Sequence, residues 1–223
     1  SAMKKATKFL GSAWGQRVLL LVLICAVMAI CEPKFFLGSN FSSILLAIAI
    51  YGIMACGMLF TVLVGGMDLS VGSMAALAGT LLAIVTIKFD YSPTGFLLGF
   101  LLAMAVSLLV GFIHGILVTR IKIPAFVVTL ATKYLIYGVV LLITNSSYIY
   151  LEARGLTYQL GNLRIGTVSM PIIIFAAVAV LSIVILNFTV YGRRLYATGG
   201  NMKASELIGI NARRNVVCAF IIS

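Results

Sequence analysis

Residues 42–87 read SSILLAIAIYGIMACGMLFTVLVGGMDLSVGSMAALAGTLLAIVTI, two apolar stretches separated by the polar, glycine-rich string Gly65-Gly-Met-Asp-Leu-Ser-Val-Gly72. The flanking runs, 42–64 and 73–87, contain no charged residue, and their length suits a bilayer crossing of about 20 residues. A carboxylate placed between two such runs is costly unless it caps a helix, lines a wet cavity or meets a cation. Asp68 is therefore the first candidate functional residue, with Gly65, Gly66, Ser70 and Gly72 as the turn that presents it.

The rest of the chain repeats the pattern. Of its 223 residues 62% are hydrophobic and only 9% charged, against about 45–50% and about 25% in a soluble domain; mean hydropathy is +1.19. Apolar runs at 18–31, 42–64, 73–87, 95–118, 124–143 and 172–190 predict six helical spans, with a seventh beginning at 215. No alternation typical of a membrane barrel interrupts them. The expected fold is thus all-α, a polytopic transmembrane helical bundle. Nine residues after Arg214 are too few to cross, so the seventh span reads as unfinished and the chain as truncated.

A net charge of +11 invites a nucleic-acid reading until the cations are placed. With a cytoplasmic N-terminus, the inside segments hold Lys4, Lys5, Lys8, Arg17, Arg120, Lys122, Arg193, Arg194, Lys203, Arg213 and Arg214. The outside segments hold only Lys34, Lys88, Arg154 and Arg164. This is the positive-inside bias, and it accounts for the basic surplus as topology, without nucleic acid. Residues 1–17 then form a basic cytoplasmic segment, 18–223 the membrane domain, and 191–214 a cytoplasmic loop long for a connection between spans. The other long loop, Asn145 to Pro171, faces outward with Tyr148, Tyr150, Arg154, Tyr158 and Arg164.

Within 191–214, Asn201 is a suitable N-cap and Gly209 a suitable left-handed C-cap, predicting a short helix over 202–208. Ala204, Leu207 and Ile208 share one face of it, with Lys203 and Glu206 off that face. Two turns are marginal in water and need a surface to pack on. The membrane interface, the feet of neighbouring spans and a groove on a cytoplasmic partner all fit.

Other polar signals are weaker. Cys25, Cys31, Cys56 and Cys218 lie in or at the ends of apolar runs without metal-ligand spacing, and read as packing residues. His114, the only histidine, lies inside a span, where a helix-to-helix hydrogen bond outranks a metal or proton-relay role. Gly95/Gly99 and Gly111/Gly115 form two small-residue pairs about 160° apart around one helix, so that helix can dock neighbours on nearly opposite sides. No G-x-x-x-x-G-K-[ST] phosphate loop occurs, and no Ser/His/Asp or Cys/His constellation falls in register. The reading is a non-enzymatic chain without a cofactor of its own.

Three strings sharpen this: Gly65 to Ser73, Gly111 to Leu130 (GFIHGILVTRIKIPAFVVTL) and Ala197 to Ile210 (ATGGNMKASELIGI). In this order they resemble the permease subunits of bacterial ribose/galactose/xylose-type ABC importers, in which the first string usually reads Gly-Ile-Asp-Leu-Ser-Val-Gly-Ser. The resemblance implies a multi-pass protein of the bacterial inner membrane that forms the path for a small polar solute, in that family a simple sugar. It implies separate ATPase subunits that bind ATP and Mg, a soluble binding protein outside, and a second permease chain, identical or different. It also implies that Gly199, Gly200, Asn201, Ala204, Glu206, Leu207 and Gly209 belong to the segment that docks on the ATPase. Met67 departs from that first string, and two further positions depart: many relatives carry Asn at the position of His114 and Arg at that of Tyr137, while here Lys133 lies one helical turn before Tyr137. Lys133, Tyr137 and His114 are accordingly candidate path-lining residues, with pairing to a carbonyl the other role open to Lys133. A secondary transporter or facilitator is the rival reading, since such proteins also use broken helices.

Overall fold

The computed structural model describes residues 12–32, 34–166 and 168–223. Most of the predicted basic segment 1–17, with Lys4, Lys5 and Lys8, lies outside the described residues. The chain divides into two compact units, residues 1–47 and 48–223.

In the first unit, α1 (Ala13–Cys31) starts where Ser12 Oγ accepts from the Gly15 N–H at 3.1 Å. A tight turn follows, in which the Leu37 N–H donates to the Lys34 carbonyl at 3.0 Å and Asn40 Nδ2 to the Phe35 carbonyl at 2.8 Å. There α2 (Gly38–Leu63) begins, and it carries the chain into the second unit.

The second unit contains α3 (Val71–Lys88), α4 (Pro93–Ile116) and α5 (Ala125–Thr144). The chain continues through α6 (Leu156–Asn162), the two-stranded hairpin β1 (Arg164–Ile165) and β2 (Val168–Ser169), then α7 (Met170–Phe188). It finishes with α8 (Val190–Gly200), α9 (Met202–Leu207) and α10 (Ala212–Ile222). Among the described residues, six helices are long and apolar enough to cross a membrane: α1, α2, α3, α4 with its extension to Ile121, α5 and α7. They coincide with the six predicted spans.

Helix α4 organises the packing through its glycines. A Cβ on Gly99 would lie 3.1 Å from Leu82, and one on Gly95 only 2.6 Å from Phe89, so this pair seats α4 against α3 and its C-terminal turn. A Cβ on Gly115 would lie 2.6 Å from Val217 Cα, and one on Gly111 2.9 Å from Ile221 Cα, so the second pair seats α10. The expected docking of two neighbours by one helix is realised. Backbone proximity of this kind substitutes for burial of large side chains, because lipid is as apolar as leucine and offers no drive to hide them. The cluster of buried large residues is correspondingly small: Phe60, Leu186, Leu195 and Ala219, flanked by Leu63, Val64, Ile185 and Tyr191.

Segments assigned to one side by charge meet at one end of this unit. Thr129 Oγ1, near the start of α5, donates to the Met67 carbonyl at 3.0 Å, and Gly199 packs on the Leu63 carbonyl. At the other end, Arg154 pairs with Asp90 at 2.8 Å and with Glu152 at 2.7 Å, and its guanidinium lies 5.0 Å from the Tyr91 ring centroid. The Tyr91 hydroxyl also accepts from the Glu152 N–H at 3.3 Å. Asp90 (φ 50°) and Tyr91 (φ 59°) adopt left-handed backbone to make this turn.

Four local features depart from the sequence expectation. The loop 145–171 contains α6 and the hairpin, which short sequences of mixed polarity do not announce. Residues 190–200 form α8, because Thr189 Oγ1 caps Gly192 N–H at 3.1 Å and Leu195 finds complete burial. The end of α4 widens into a π-helical turn, Leu117–Ile121, closed by Lys122 at φ 63°. Finally, the short helix ends at Leu207 and not at 208, with Ile208 as its C-cap and Gly209 at φ 81°.

Candidate functional site

The link between α2 and α3 is built by local hydrogen bonding. Gly65 takes φ 78°, which glycine accepts without steric penalty, and the Gly66 N–H donates back to the Thr61 carbonyl at 2.9 Å. Asp68 Oδ1 then accepts from the Ser70 N–H at 2.8 Å and from Ser70 Oγ at 2.6 Å. This side-chain-to-backbone turn starts α3, and Ser73 Oγ closes it by donating to the Ser70 carbonyl at 2.8 Å. Both members of the pair are buried, Asp68 at 5% and Ser70 at 0% exposure. Gly72 has open space where a Cβ would project.

The turn sits below the helix ends. Its carbonyl partner Thr129 is four residues into α5 beyond Ala125, and Gly66 approaches Phe220, eight residues beyond the start of α10 at Ala212. At 1.5 Å per residue these are insertions of about 6 and about 12 Å. The turn is thus held by contacts from α5 and α10, and Asp68 within it is buried.

Asp68 and Ser70 line a half-open cavity of about 380 Å³, with residues of α2, α3, α4, α7 and α10 and the terminal Ser223 on its other walls. His114, from α4, lines the same cavity at 2% exposure; its ring meets Phe220 edge-on at 6.1 Å, and its Nε2 has no hydrogen-bond partner among the described residues. Two further hydroxyls, Ser107 and Ser182, line the space, as does Cys56. Neither serine stood out in the sequence; the available signal was a lone hydroxyl in a span otherwise apolar around it.

The other path candidates lie elsewhere. Lys133 and Tyr137 occupy an exposed face of α5 and are not on the cavity wall; Lys133 Nζ lies 5.7 Å from the Tyr134 ring centroid. His114 is thus separated from the two residues with which the sequence grouped it.

The loop candidates form a third location. Asn201 Oδ1 caps α9 by accepting from the Ala204 N–H at 3.0 Å. Ser205 is buried, while Ala204, Glu206, Leu207 and Ile208 are exposed, Leu207 at 89% and Ile208 at 73%. Gly199 lies against Leu63 and Gly200 has open space around it. The stub is fixed to the bundle: Asn215 Nδ2 donates to Thr198 Oγ1 at 2.9 Å, joining α10 to α8. Tyr191 packs beside the core cluster at the base of α8; burial, and then Cys218, push its phenol above the ordinary value, and its hydroxyl has no partner among the described residues.

The described residues contain no group of three or more His, Cys, Asp or Glu placed to hold a metal ion. Residues 40–223 match the family described as the permease component of the branched-chain amino acid transport system. The chain belongs to that permease family. It is 34% identical over 210 residues to the ribose import permease protein of Haemophilus influenzae, covering 91% of this chain and 62% of the relative. It is 35% identical over 181 residues to an inner membrane ABC transporter permease protein of Escherichia coli, covering 78% and 53%. Identity to the L-arabinose transport system permease protein of Escherichia coli is 31% over 225 residues, covering 100% and 67%. The chain thus spans between about half and two thirds of the length of these curated relatives. No solved structure matches it. With its six candidate spans, this permease-family chain is a multi-pass protein of the inner membrane.

Proposed function

We propose that the protein is the membrane subunit of a binding-protein-dependent ABC importer, forming the path for a small polar solute, most simply a monosaccharide. The observation that carries this reading is the exposed apolar tip of α9, Leu207 and Ile208, between two helices, α8 and α10, that are joined by the Asn215–Thr198 hydrogen bond. An apolar tip left in water is destabilising for the isolated chain. A groove on a separate ATPase subunit, which binds ATP and Mg, would cover it and could push on it.

The connections behind the tip support transmission of that push. From α9 the force passes to α8, whose Gly199 lies on the end of α2 just before the Asp68 turn. It passes also to α10, whose Phe220 lies on both Gly66 and His114. Movement of α8 and α10 as a body would reshape the region around Asp68, the kind of rigid-body switch that a ligand state biases. Asp68 and Ser70, with Gly65, Gly66 and Gly72, would act as the broken-helix turn beside the path. At the opposite end, Tyr148 and Tyr150 are exposed with rings 6.5 Å apart, beside the Arg154 knot, and offer a surface to a soluble binding protein. A second permease chain, identical or different, would complete the path, and the exposed face of α5 with Lys133 and Tyr137 is a candidate to line it.

Co-purification tests the reading. The chain expressed with its neighbouring genes should bring down an ATPase, and Leu207→Asp should release it while the permease still inserts. Uptake of labelled D-ribose or L-arabinose should fall with the ATPase lost. Uptake that persists in the absence of any ATPase would instead identify a facilitator.

A further inference from the structure

The turn between α1 and α2 holds a second cavity, open to the outside and about 330 Å³ in volume, lined within residues 28–43 of the first unit. Both helices are candidate spans, and residues 32–37 alone join them. So short a connection keeps the two helix ends in one interface, which sets the cavity at the level of the lipid headgroups.

The fold uses some of the polar groups here and leaves others. Asn40 Nδ2 donates to the Phe35 carbonyl at 2.8 Å and Ser43 Oγ to the Ser39 carbonyl at 3.1 Å, so those donors are taken. Glu32 Oε1 accepts from the Lys34 N–H at 3.2 Å, while its second oxygen has no hydrogen bond among the described residues. The Lys34 ammonium forms no ion pair among them either, although Glu32 lines the same space two positions away.

A carboxylate only accepts and an ammonium only donates, so the two side chains together are complementary to a ligand that carries both charges. A phosphate accepts charge-assisted hydrogen bonds from Lys34, and a primary ammonium donates them to Glu32. A glycerol phosphate headgroup, anionic throughout, answers Lys34 but is repelled by Glu32, and a choline headgroup has no N–H to donate. Phosphoethanolamine answers both. The apolar lining suits the rest of a lipid: the Glu32 N–H donates to the Met28 carbonyl at 2.9 Å, one turn back along α1. Met28 therefore lies about 6 Å deeper into the span, where an acyl chain would run. We propose that this cavity binds a phosphatidylethanolamine molecule, with Lys34 holding its phosphate and Glu32 its ammonium. The site does not depend on what the protein transports.

Lipid competition tests it. The purified full chain is placed in detergent with equal amounts of dioleoyl phosphatidylethanolamine, phosphatidylcholine and phosphatidylglycerol, and the lipid it retains is read by native mass spectrometry. Phosphatidylethanolamine should be retained about threefold or more over each of the others. Glu32→Gln should let phosphatidylglycerol compete equally, and Lys34→Gln should lower phosphatidylethanolamine to the level of phosphatidylcholine. Both side chains are exposed, so the fold should tolerate either change. If a variant fails to accumulate, hydrogen exchange of wild-type residues 28–43 in nanodiscs decides, being slower with phosphatidylethanolamine than with phosphatidylcholine. Equal retention of the three lipids, a preference that survives both substitutions, or exchange indifferent to the headgroup overturns the proposal. Binding of water-soluble phosphoethanolamine as tight as that of the lipid would make the ligand a free phosphate ester and overturn it as well.

Discussion

Asp68 and Asn201 do the same local work in two different places. Each uses a side-chain oxygen to accept a backbone N–H at the start of a helix, Asp68 from Ser70 at 2.8 Å and Asn201 from Ala204 at 3.0 Å. Asp68 sits inside the bundle with a cavity beside it, and Asn201 stands at the foot of an exposed stub. The difference teaches that a capping motif has no fixed weight. Water freely replaces a lost cap at the exposed Asn201, whereas Asp68 is buried and its loss leaves the Ser70 N–H and hydroxyl without their acceptor.

The largest effect should come from the packing that holds the buried member in place. Gly115→Leu drives a side chain into the backbone of α10 at Val217 and should cost about 3 kcal/mol or more, seen as loss of folded protein in a detergent melting assay. Normal stability would mean that α10 does not lie where Asp68 needs it.

Next, Asp68→Ala should destabilise by about 2 kcal/mol and abolish uptake, whereas Asn201→Ala should cost about 1 kcal/mol or less, confined to the stub. Hydrogen exchange of the two segments separates these outcomes, and equal effects would erase the contrast.

Leu207→Asp should leave the melting temperature unchanged and still lower transport at least tenfold, because its side chain touches water and not the bundle. Stability lost together with transport would mean that the tip packs internally.

The smallest effect is expected at Tyr191, where Tyr191→Phe removes a buried hydroxyl that has no partner among the described residues. Stability should stay the same or rise by about 1 kcal/mol. Because burial holds the phenol above its ordinary value, it stays protonated in the fold, and the melting curves of the wild type and the Tyr191→Phe variant should run parallel from neutral to mildly alkaline pH.

Charge at the Arg154 end is a different case. Arg154 is solvent-exposed, and Glu152 and then Asp90 hold its guanidinium still further above the usual range, which leaves its charge unchanged at any working pH. Its pairs organise the loop without much effect on stability.

What the amino-acid order determined was everything that depends on one-dimensional pattern. Runs of apolar residues set the six spans, and Asn201 with Gly209 bounded the short helix to within a residue. Asp68 stood out because a carboxylate between two spans is conspicuous in any register. Tertiary structure decided which polar groups meet. His114 joins Asp68 and parts from Lys133 and Tyr137 because α10 seats on the Gly111/Gly115 face and turns that side of α4 inward. Ser107 and Ser182 acquire a role only where α4 and α7 approach the same space, and α8 forms only because Leu195 has a core to enter. Periodicity is carried by a single segment and can be read from it. A cavity is a property of five segments at once, and its lining depends on contacts between residues far apart in the chain.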